Sequence, residues 1–441
     1  MADFATSDHP GVQRQLDRLA LLSPGADILG LDRIAKLLDR LGNPECDLPP
    51  VFHVAGTNGK GSTCAYLRAA IEAAGLTAHV FTSPHLVRFN ERIRIAGRLI
   101  EDDMLAALIA EVLDHASDIE PSFFEVTTAA ALLAFARTPA DACIIEVGLG
   151  GRLDATNIIP APLICGIAQL GIDHQAFLGD TAEDIAAEKA GIAKAGVPIA
   201  TLHYPAAVAN RIGSVIRPTR APWLVKGGAW DAVAYRGRLH YRDDAGKLEL
   251  PMPGLAGGHQ AMNAGLAVAM LRHQTALSIP ASALRAAMGW ANWPARLQHL
   301  HEGTLTTILP EGSELWLDGG HNPAAARAIG DFFRSHVPAD RPFHMILGLL
   351  ENKDAPGFLH ALGQLSAHIH TVPVPGHAHH PPEALARLAE QAGFTGAVAP
   401  DPAAALAGIA ALQAGPPPVV LIAGSLYLAG RVLAANGTIP D

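Results

Sequence analysis

A glycine-rich segment near residue 60 carries the side chains best suited to hold phosphate. The residues Gly56-Thr57-Asn58-Gly59-Lys60-Gly61-Ser62-Thr63 follow the apolar run Val51–Ala55 and precede an alanine-rich stretch. A strand, a glycine-rich turn and a helix start, in that order, let backbone N–H groups converge on a phosphate at the positive end of a helix. Lys60 supplies a mobile cation for the outer phosphates, and Ser62 or Thr63 supplies a hydroxyl beside a magnesium ion. The pattern predicts an ATP-binding loop.

The spacing of this segment departs from the general P-loop. Val54 stands where the first glycine is expected, and Gly61 separates Lys60 from the hydroxyl residue. A tight turn without a ligand is the alternative interpretation. The strand before the turn and the Lys-Gly-Ser sequence within it favour a nucleotide site.

Composition and charge narrow the class of protein. The 441 residues suffice for two or three domains with a large buried core, and 49% are hydrophobic against 17% charged, as in α/β enzymes. The formal charge of −10 and the lack of any Lys/Arg run argue against nucleic-acid binding. The chain starts without a basic and apolar leader, and no apolar stretch approaches the ~20 residues that a bilayer requires. We therefore expect a cytoplasmic protein without membrane contact.

Apolar runs alternate with helical patterns, which predicts a doubly wound, mainly parallel sheet. We expect strands at Val51–Ala55, Ala78–Thr82, Ala142–Val147, Leu163–Ala168 and Val197–Thr201, and helices at Thr63–Ala74, Glu101–His115, Glu125–Ala136, Thr181–Ala195 and Gln260–Arg272. Short alternating segments between Trp223 and Pro253 indicate an antiparallel hairpin.

A second α/β alternation follows a break near residue 297. Its expected elements are strands at Leu315–Leu317, Met345–Leu347 and Val419–Ala423 and a helix at Ala324–Phe333 that begins with the cap Asn322-Pro323. We therefore predict a P-loop ATPase domain over residues 1–297 and a smaller, Rossmann-like domain over residues 298–441.

An ordered set of motifs extends over nearly the whole chain. After the glycine-rich loop come Thr82-Ser83-Pro84-His85, Phe123-Phe124-Glu125, Glu146-Val147-Gly148-Leu149-Gly150-Gly151-Arg152-Leu153-Asp154, Asp173-His174, Glu188-Lys189, His259-Gln260 with Asn263, Arg296 and Asp318-Gly319-Gly320-His321-Asn322-Pro323. This set resembles the folylpolyglutamate synthase/dihydrofolate synthase family of the Mur ligase superfamily, in particular its bacterial bifunctional members.

The resemblance implies an ATP-dependent amide ligation through an acyl phosphate. In such an enzyme the loop residues 56–62, with Lys60, would hold ATP. Two Mg²⁺ ions would be held by Ser83, Glu146, His174 and a Lys189 that carries an N6-carboxyl group. Oxygen donors and one imidazole are acceptable ligands for Mg²⁺, which takes few protein carboxylates. Lys60, Glu146, His174, Lys189 and His321 are the implied catalytic residues.

The resemblance also implies the remaining contacts. Asn263, Arg296 and Asp318 would face the nucleotide, and His321 would lie with them. Phe124, Arg152 and Asp154 would contact the pterin substrate, and Ser425 would contact glutamate. The implied substrates are dihydropteroate, reduced folates and L-glutamate, and relatives of this kind are expected to be monomers.

Structural interpretations of the same residues remain open from the sequence alone. Glu146 could form a salt bridge with Arg152, and His174 could be an ordinary loop histidine. Lys189 could belong to a solvated helix face, and Arg296 could be a linker residue. Phe124 is equally compatible with a core aromatic and Asp154 with a helix cap.

Two further interpretations concern larger features of the chain. The group His368, His370, His377, His379 and His380 is read as a solvent-exposed loop rather than as a metal site, because prolines interrupt it. For the whole protein, the alternatives to the bifunctional ligase are an enzyme that only extends folate tails, or a P-loop kinase or nucleotide-binding module.

Overall fold

The computed structural model describes residues 5–22, 29–363, 365, 367–412 and 415–441. The chain divides into two compact units, one of residues 1–254 with 260–292 and one of residues 255–259 with 293–441. The first unit ends at residue 292, five residues before the division expected after residue 297, and residues 255–259 belong to the second unit. Among the described residues, no helix is both long and apolar enough to cross a membrane.

The first unit is built on an eight-stranded sheet with a separate three-stranded sheet. Its strands are β1 (Val51–Ala55), β2 (Ala78–Phe81), β3 (Ile93–Ile95), β4 (Arg98–Leu99), β5 (Ala142–Glu146), β6 (Ile164–Ile167), β7 (Ile199–Thr201), β8 (Trp223–Val225), β9 (Trp230–Tyr235), β10 (Arg238–Asp243) and β11 (Gly246–Pro251). Its helices are α1 (Pro10–Leu22), α2 (Asp32–Arg40), α3 (Lys60–Ala73), α4 (Asp102–Asp114), α5 (Phe123–Arg137), α6 (Gln175–Leu178), α7 (Ala182–Ala190), α8 (Ala206–Ile216), α9 (Gln260–Arg272) and α10 (Ala281–Trp290).

The large sheet has the order β4-β3-β2-β5-β1-β6-β7-β8, in which only β3 and β4 run antiparallel to their neighbours. Strands β1, β2, β5 and β6 are buried along their whole length, as expected for parallel strands covered on both faces. A core cluster joins one face to α1, α2, α4 and α5, while α3 and α9 contact the other face. The predicted doubly wound, mainly parallel sheet is confirmed.

The segment between residues 223 and 253 differs from the expected single hairpin. Trp223–Val225 extends the large sheet in parallel with β7. The next three strands form an antiparallel sheet of their own, with turns at residues 236–237 and 244–245. The expected hairpin has one turn and the structure has two, because alternation of apolar and polar residues alone does not reveal how many strands a segment contains.

The second unit has a six-stranded sheet of order β12-β13-β17-β14-β15-β16, with β12 antiparallel. Its strands are β12 (Gln298–Leu300), β13 (Glu314–Leu317), β14 (Phe343–Leu347), β15 (Ala367–Thr371), β16 (Thr395–Val398) and β17 (Val419–Ala423). Its helices are α11 (Pro323–His336), α12 (Ala355–Leu362), α13 (Pro382–Gln391), α14 (Pro402–Leu412) and α15 (Leu426–Asn436). One face packs against α11, α12 and α13, and α14 and α15 contact the strands from the other side.

Two expectations for the second unit have opposite outcomes. Asn322 caps α11 by accepting a hydrogen bond from the Ala325 amide, with Pro323 at the first helical position, as predicted. The prediction of an exposed histidine loop is wrong for His368 and His370, which lie on β15. The local sequence does not predict this strand. Its parallel pairing with β14 and β16 stabilises it in the folded protein.

Candidate active site

Strand order brings the ends of four strands together. β1 lies between β5 and β6, and β2 pairs with β5, all in parallel. The carboxyl ends of parallel strands meet at one edge of the sheet, which is where ligands bind in open α/β folds. Four segments therefore lie along one edge of the sheet. They are Ser83 after β2, Glu146 at the end of β5, the glycine-rich loop after β1 and residues 168–174 after β6.

The start of the glycine-rich loop is tied to the chain that follows β6. The Thr57 and Asn58 amides donate to the Gln169 carbonyl oxygen at 2.8 and 3.1 Å. The Thr57 hydroxyl donates to the Gly171 carbonyl oxygen at 3.0 Å and accepts from the Gly171 amide at 3.1 Å. Hydrogen bonds of the Thr57 and Asn58 amides therefore hold the start of the loop in place.

Amides for an anion come from the end of the loop. Gly59 has a left-handed φ of +82°, and α3 begins at Lys60. The amide of Thr63 bonds to the Gly59 carbonyl oxygen at 2.9 Å, so the amides of Lys60, Gly61 and Ser62 belong to the first helical turn, whose N–H groups lack an intrahelical acceptor. This turn provides the positive helix end that an anion requires.

Polar side chains of α9 pack against this turn. A Cβ placed on Gly59 would lie 2.3 Å from the Asn263 Oδ1 atom, so only glycine fits there. Asn263 donates to Gln260 at 3.0 Å, and Gln260 donates to the Ser62 hydroxyl at 3.3 Å. All three side chains are buried. Asn263, predicted to contact the nucleotide, thus supports the glycine-rich loop.

An ion pair between partly exposed Lys60 and buried Glu146 joins the loop to β5. The Lys60 Nζ atom lies 3.9 Å from a Glu146 carboxylate oxygen and 3.2 Å from the Gly56 carbonyl oxygen. Val54 pairs directly with Glu146 across the sheet, which explains the proximity. Glu146 is only 4% exposed, and a buried carboxylate requires a compensating positive charge. The alternative salt bridge between Glu146 and Arg152 is wrong, since Arg152 pairs with Glu188 at 2.9 Å.

The four predicted metal ligands are only partly assembled. The Ser83 amide donates to Glu146 at 3.4 Å. His174 has a left-handed φ of +54° and lies 4.0 Å from the Asp173 carboxylate. Over the described part of the chain, no three His, Cys, Asp or Glu side chains converge as a metal cluster. A buried carboxylate beside a hydroxyl residue nonetheless fits Mg²⁺, which keeps several waters and substrate oxygens among its ligands.

Lys189 is a buried lysine on α7 and not part of a solvated helix face. Its exposed fraction is 5%, and its Cα atom lies against the backbone of Gly151. Burial and the nearby Lys60 charge, against the opposing effects of Asp173 and Asp154, together lower the pKa of Lys189 to about 7. A large neutral fraction at neutral pH makes this amine a nucleophile.

Phe124 and Asp154 both contact the turn after β5. The Phe124 ring is partly exposed and packs on Gly148, where an added Cβ would be 2.3 Å from the ring. Asp154 is buried and accepts hydrogen bonds from the Leu149 amide at 2.8 Å and the Thr156 amide at 3.0 Å. These are the contacts of a cap, so the predicted pterin contact of Asp154 competes with a capping role.

The hydrogen-bond network of Asp154 contains a histidine that the sequence analysis did not single out. His53, fully buried on β1, lies 2.9 Å from the Thr156 hydroxyl, which in turn donates to Asp154. Burial lowers the pKa of His53 to about 3, so the ring is neutral. A polar residue inside an apolar strand was the available signal.

In the second unit, Asp318 fixes the start of the domain. Its carboxylate accepts from the Leu297 amide at 2.7 Å and the Gly320 amide at 2.6 Å. Ala295 and Leu297 have left-handed φ values of +55° and +43°, which cost L-residues about 1–2 kcal/mol each. This strained backbone presents Arg296 between them.

The other predicted residues of the second unit have local partners as well. The His321 ring bonds to the Gly319 carbonyl oxygen at 3.0 Å. Burial lowers the pKa of His259, against the raising effect of Asp318. Ser425 is buried and caps α15 by accepting from the Tyr427 amide at 3.2 Å. Its predicted glutamate contact therefore competes with a capping role.

Comparison with known proteins identifies the family. The family model of the Mur ligase glutamate ligase domain matches residues 305–426. A dihydrofolate synthase/folylpolyglutamate synthase of Bacillus subtilis is 34% identical over 356 residues, covering 77% of this chain and 80% of the relative. The chain belongs to the folylpolyglutamate synthase/dihydrofolate synthase family. Members are ATP-dependent ligases, and the resemblance seen in the sequence is confirmed.

Solved structures of the family share the fold over almost the full length. The Escherichia coli FolC structure in complex with DHPP and ADP has a TM-score of 0.84 at 30% identity, covering 97% of this chain and 98% of that one. A bifunctional folylpolyglutamate synthase/dihydrofolate synthase with Mn, AMPPNP and L-glutamate bound has a TM-score of 0.83 at 30% identity, covering 98% of each chain. Both predicted α/β domains are therefore those of the family.

Replacing Gly59 with alanine is expected to weaken ADP binding at least tenfold. The new Cβ would displace Asn263 and shift the first turn of α3, and about 1.4 kcal/mol of lost binding free energy corresponds to a tenfold loss. Gly75→Ala is the matched control, because Gly75 also has a positive φ, +78°, but no atom within 4 Å of an added Cβ. Calorimetric titration with ADP should separate the two variants; equal affinities would show that the contact with Asn263 does not shape the loop.

Proposed function

We propose that this protein ligates L-glutamate to dihydropteroate, and to the glutamate tail of reduced folates, with hydrolysis of ATP. The observation that carries the proposal is the pairing of Lys60 with buried Glu146 beside the first turn of α3. Relatives with bound DHPP and ADP, and with bound AMPPNP and L-glutamate, support the choice of substrates.

The reaction has two steps. A carboxylate oxygen of the acceptor attacks the γ-phosphorus of ATP, the bond to the β-phosphate oxygen breaks, and ADP leaves. The amine of glutamate then attacks the acyl carbonyl, loses a proton, and expels inorganic phosphate as the amide forms. Lys60 and the first-turn amides would balance the charge on the transferring phosphoryl group, which needs electrostatic stabilisation more than acid–base chemistry.

Divalent metal binding is supported by the family structure that contains Mn. Glu146, Ser83 and His174 would hold Mg²⁺, which would neutralise phosphate charge. Lys189, carboxylated on Nζ by CO₂, would complete a second site. Its burial supports this proposal, because a buried amine close to Lys60 is more stable when it has lost its positive charge. An anionic carbamate would also attract Lys60 instead of repelling it.

Substrate contacts are proposed for both units. The partly exposed ring of Phe124 beside Gly148 would stack on the pterin, and Arg152 and Asp154 would contact the pterin from the same turn. Arg296, Asp318 and His321 would close on the nucleotide, and the second unit would bind glutamate, in accordance with the name of the family model that matches it. Residues 1–297 would thus form the ATP and pterin domain and residues 298–441 the glutamate domain.

Two narrower alternatives differ in the acceptor or in the chemistry. An enzyme that only extends folate tails would use tetrahydrofolate but not dihydropteroate, and a kinase would release no phosphate in response to glutamate. The monomeric state and the cytoplasmic location stay predictions.

Phosphate release from ATP is expected to require both glutamate and an acceptor, dihydropteroate or tetrahydrofolate.

Lys60→Ala should reduce turnover by about 10²-fold or more while the protein stays folded, because the transferring phosphoryl group loses its nearest cation. Lys247→Ala, on the exposed part of β11, is the control. Turnover of folded Lys60→Ala equal to that of the control would contradict the assignment of the loop.

Asp154→Ala distinguishes a pterin contact from a cap. If Asp154 binds the pterin, the Michaelis constant for dihydropteroate rises while that for ATP changes little. If Asp154 only holds its own turn, thermal stability falls and both constants change together. Steady-state kinetics with each substrate varied, together with thermal unfolding, separate these results.

Lys189→Ala is expected to lose activity, and short carboxylates such as formate or acetate should restore part of it. The added carboxylate would replace the missing carbamate oxygens, which a lysine ammonium could not supply. In the wild-type protein, removal of CO₂ and bicarbonate should lower activity reversibly. Activity that is insensitive to CO₂, together with no rescue by carboxylates, would show that Lys189 acts as an unmodified lysine.

A further inference from the structure

Two strands of the second unit bring three histidines onto one face of the sheet. His344 on β14 pairs directly with His368 on β15, and His370 pairs with Ile346 one position further along the same face. Met345 and Ile369, which alternate with them, belong to the core on the opposite face. None of the three histidines belongs to the sheet edge that holds Lys60 and Glu146.

The three rings form a compact cluster. The His344 Nδ1 and His370 Nε2 atoms are hydrogen-bonded at 3.1 Å, a bond that a shared metal ion would replace. The ring centroid of His344 lies 5.1 Å from that of His368 and 5.3 Å from that of His370. His344 and His370 are partly buried, while His368 is exposed and gives solvent access to the cluster.

The nitrogen separation suits two ligands of one metal ion. Zinc binds histidine nitrogens at about 2.0–2.1 Å in tetrahedral geometry, which places neighbouring ligand nitrogens about 3.3 Å apart.

We propose that His344, His368 and His370 form a binding site for Zn²⁺, with solvent as the fourth ligand. In the side-chain positions of the described residues no three donors yet converge, so exposed His368 must change its rotamer to complete the site. The donor set is all imidazole, which suits Zn²⁺ and not the Mg²⁺ used with ATP. The bound ion would join two adjacent strands of the glutamate ligase domain.

The remaining histidines of the same region do not share this cluster. His377 stacks on Tyr427 with ring centroids 3.8 Å apart, and His380 bonds to the Lys353 carbonyl oxygen at 3.0 Å. The tertiary fold therefore separates His368 and His370 from His377 and His380. It also brings His344, from another strand, to the first two.

The test is Zn²⁺ binding to full-length, chelator-treated protein without nucleotide. Isothermal titration should give one more Zn²⁺ equivalent for the wild type than for His370→Gln. His368→Gln, at an exposed position where folding is insensitive to the change, should weaken that equivalent by at least about tenfold, since even loss of an outer partner of a ligand costs this much. His203→Gln, an exposed histidine of the first unit, is the control for adventitious binding and should match the wild type.

Substitution with Co²⁺ gives an independent measurement. Tetrahedral nitrogen ligation should produce visible absorption bands in the wild type and in His203→Gln but not in His370→Gln. Identical Zn²⁺ stoichiometry and affinity in all four proteins would overturn the proposal. An effect of His370→Gln without any effect of His368→Gln would also overturn it, because the site requires three ligands.

Discussion

The candidate site depends on the pairing of β1 with β5 in parallel, which sets Lys60 beside Glu146. Parallel pairing places the carboxyl ends of both strands at one edge, and burial leaves Glu146 4% exposed. A carboxylate in that position requires a positive charge close by, and Lys60 at 3.9 Å supplies it. The same edge receives the chain after β2 and β6, so Ser83, whose amide bonds to Glu146, and the segment leading to His174 lie at this edge too.

Around this pair, many polar side chains hold backbone segments rather than face open space. Asn263 and Gln260 support the turn at Gly59, and Asp154 and Thr156 with His53 support the turn after β5. Such networks are useful for phosphoryl transfer, because preorganised amides and cations need not reorganise as charge develops. The cost is that a buried network must be fully satisfied, so single substitutions within it affect both stability and binding.

The second unit repeats this pattern at its beginning. Asp318 binds the Leu297 and Gly320 amides and so fixes a backbone in which two non-glycine residues have positive φ values. Strain of this kind persists only where surrounding bonds determine the conformation, and it is common at ligand sites. The histidine cluster on β14 and β15 lies outside this region and depends on strand register alone.

The sequence by itself determined the elements with strong local signals and the motifs that carry the family. Val51–Ala55, Gln260–Arg272 and Val419–Ala423 were predicted with their observed bounds, because mainly apolar composition and clear end signals define them. Only the tertiary structure decided which polar groups meet. Glu146 forms an ion pair with Lys60, and Arg152 forms one with Glu188. The amides of Thr57 and Asn58 bond to Gln169. Strand pairing places His344 beside His368 and His370. Such partners are distant in sequence, and strand order and register, which no local pattern encodes, bring them together.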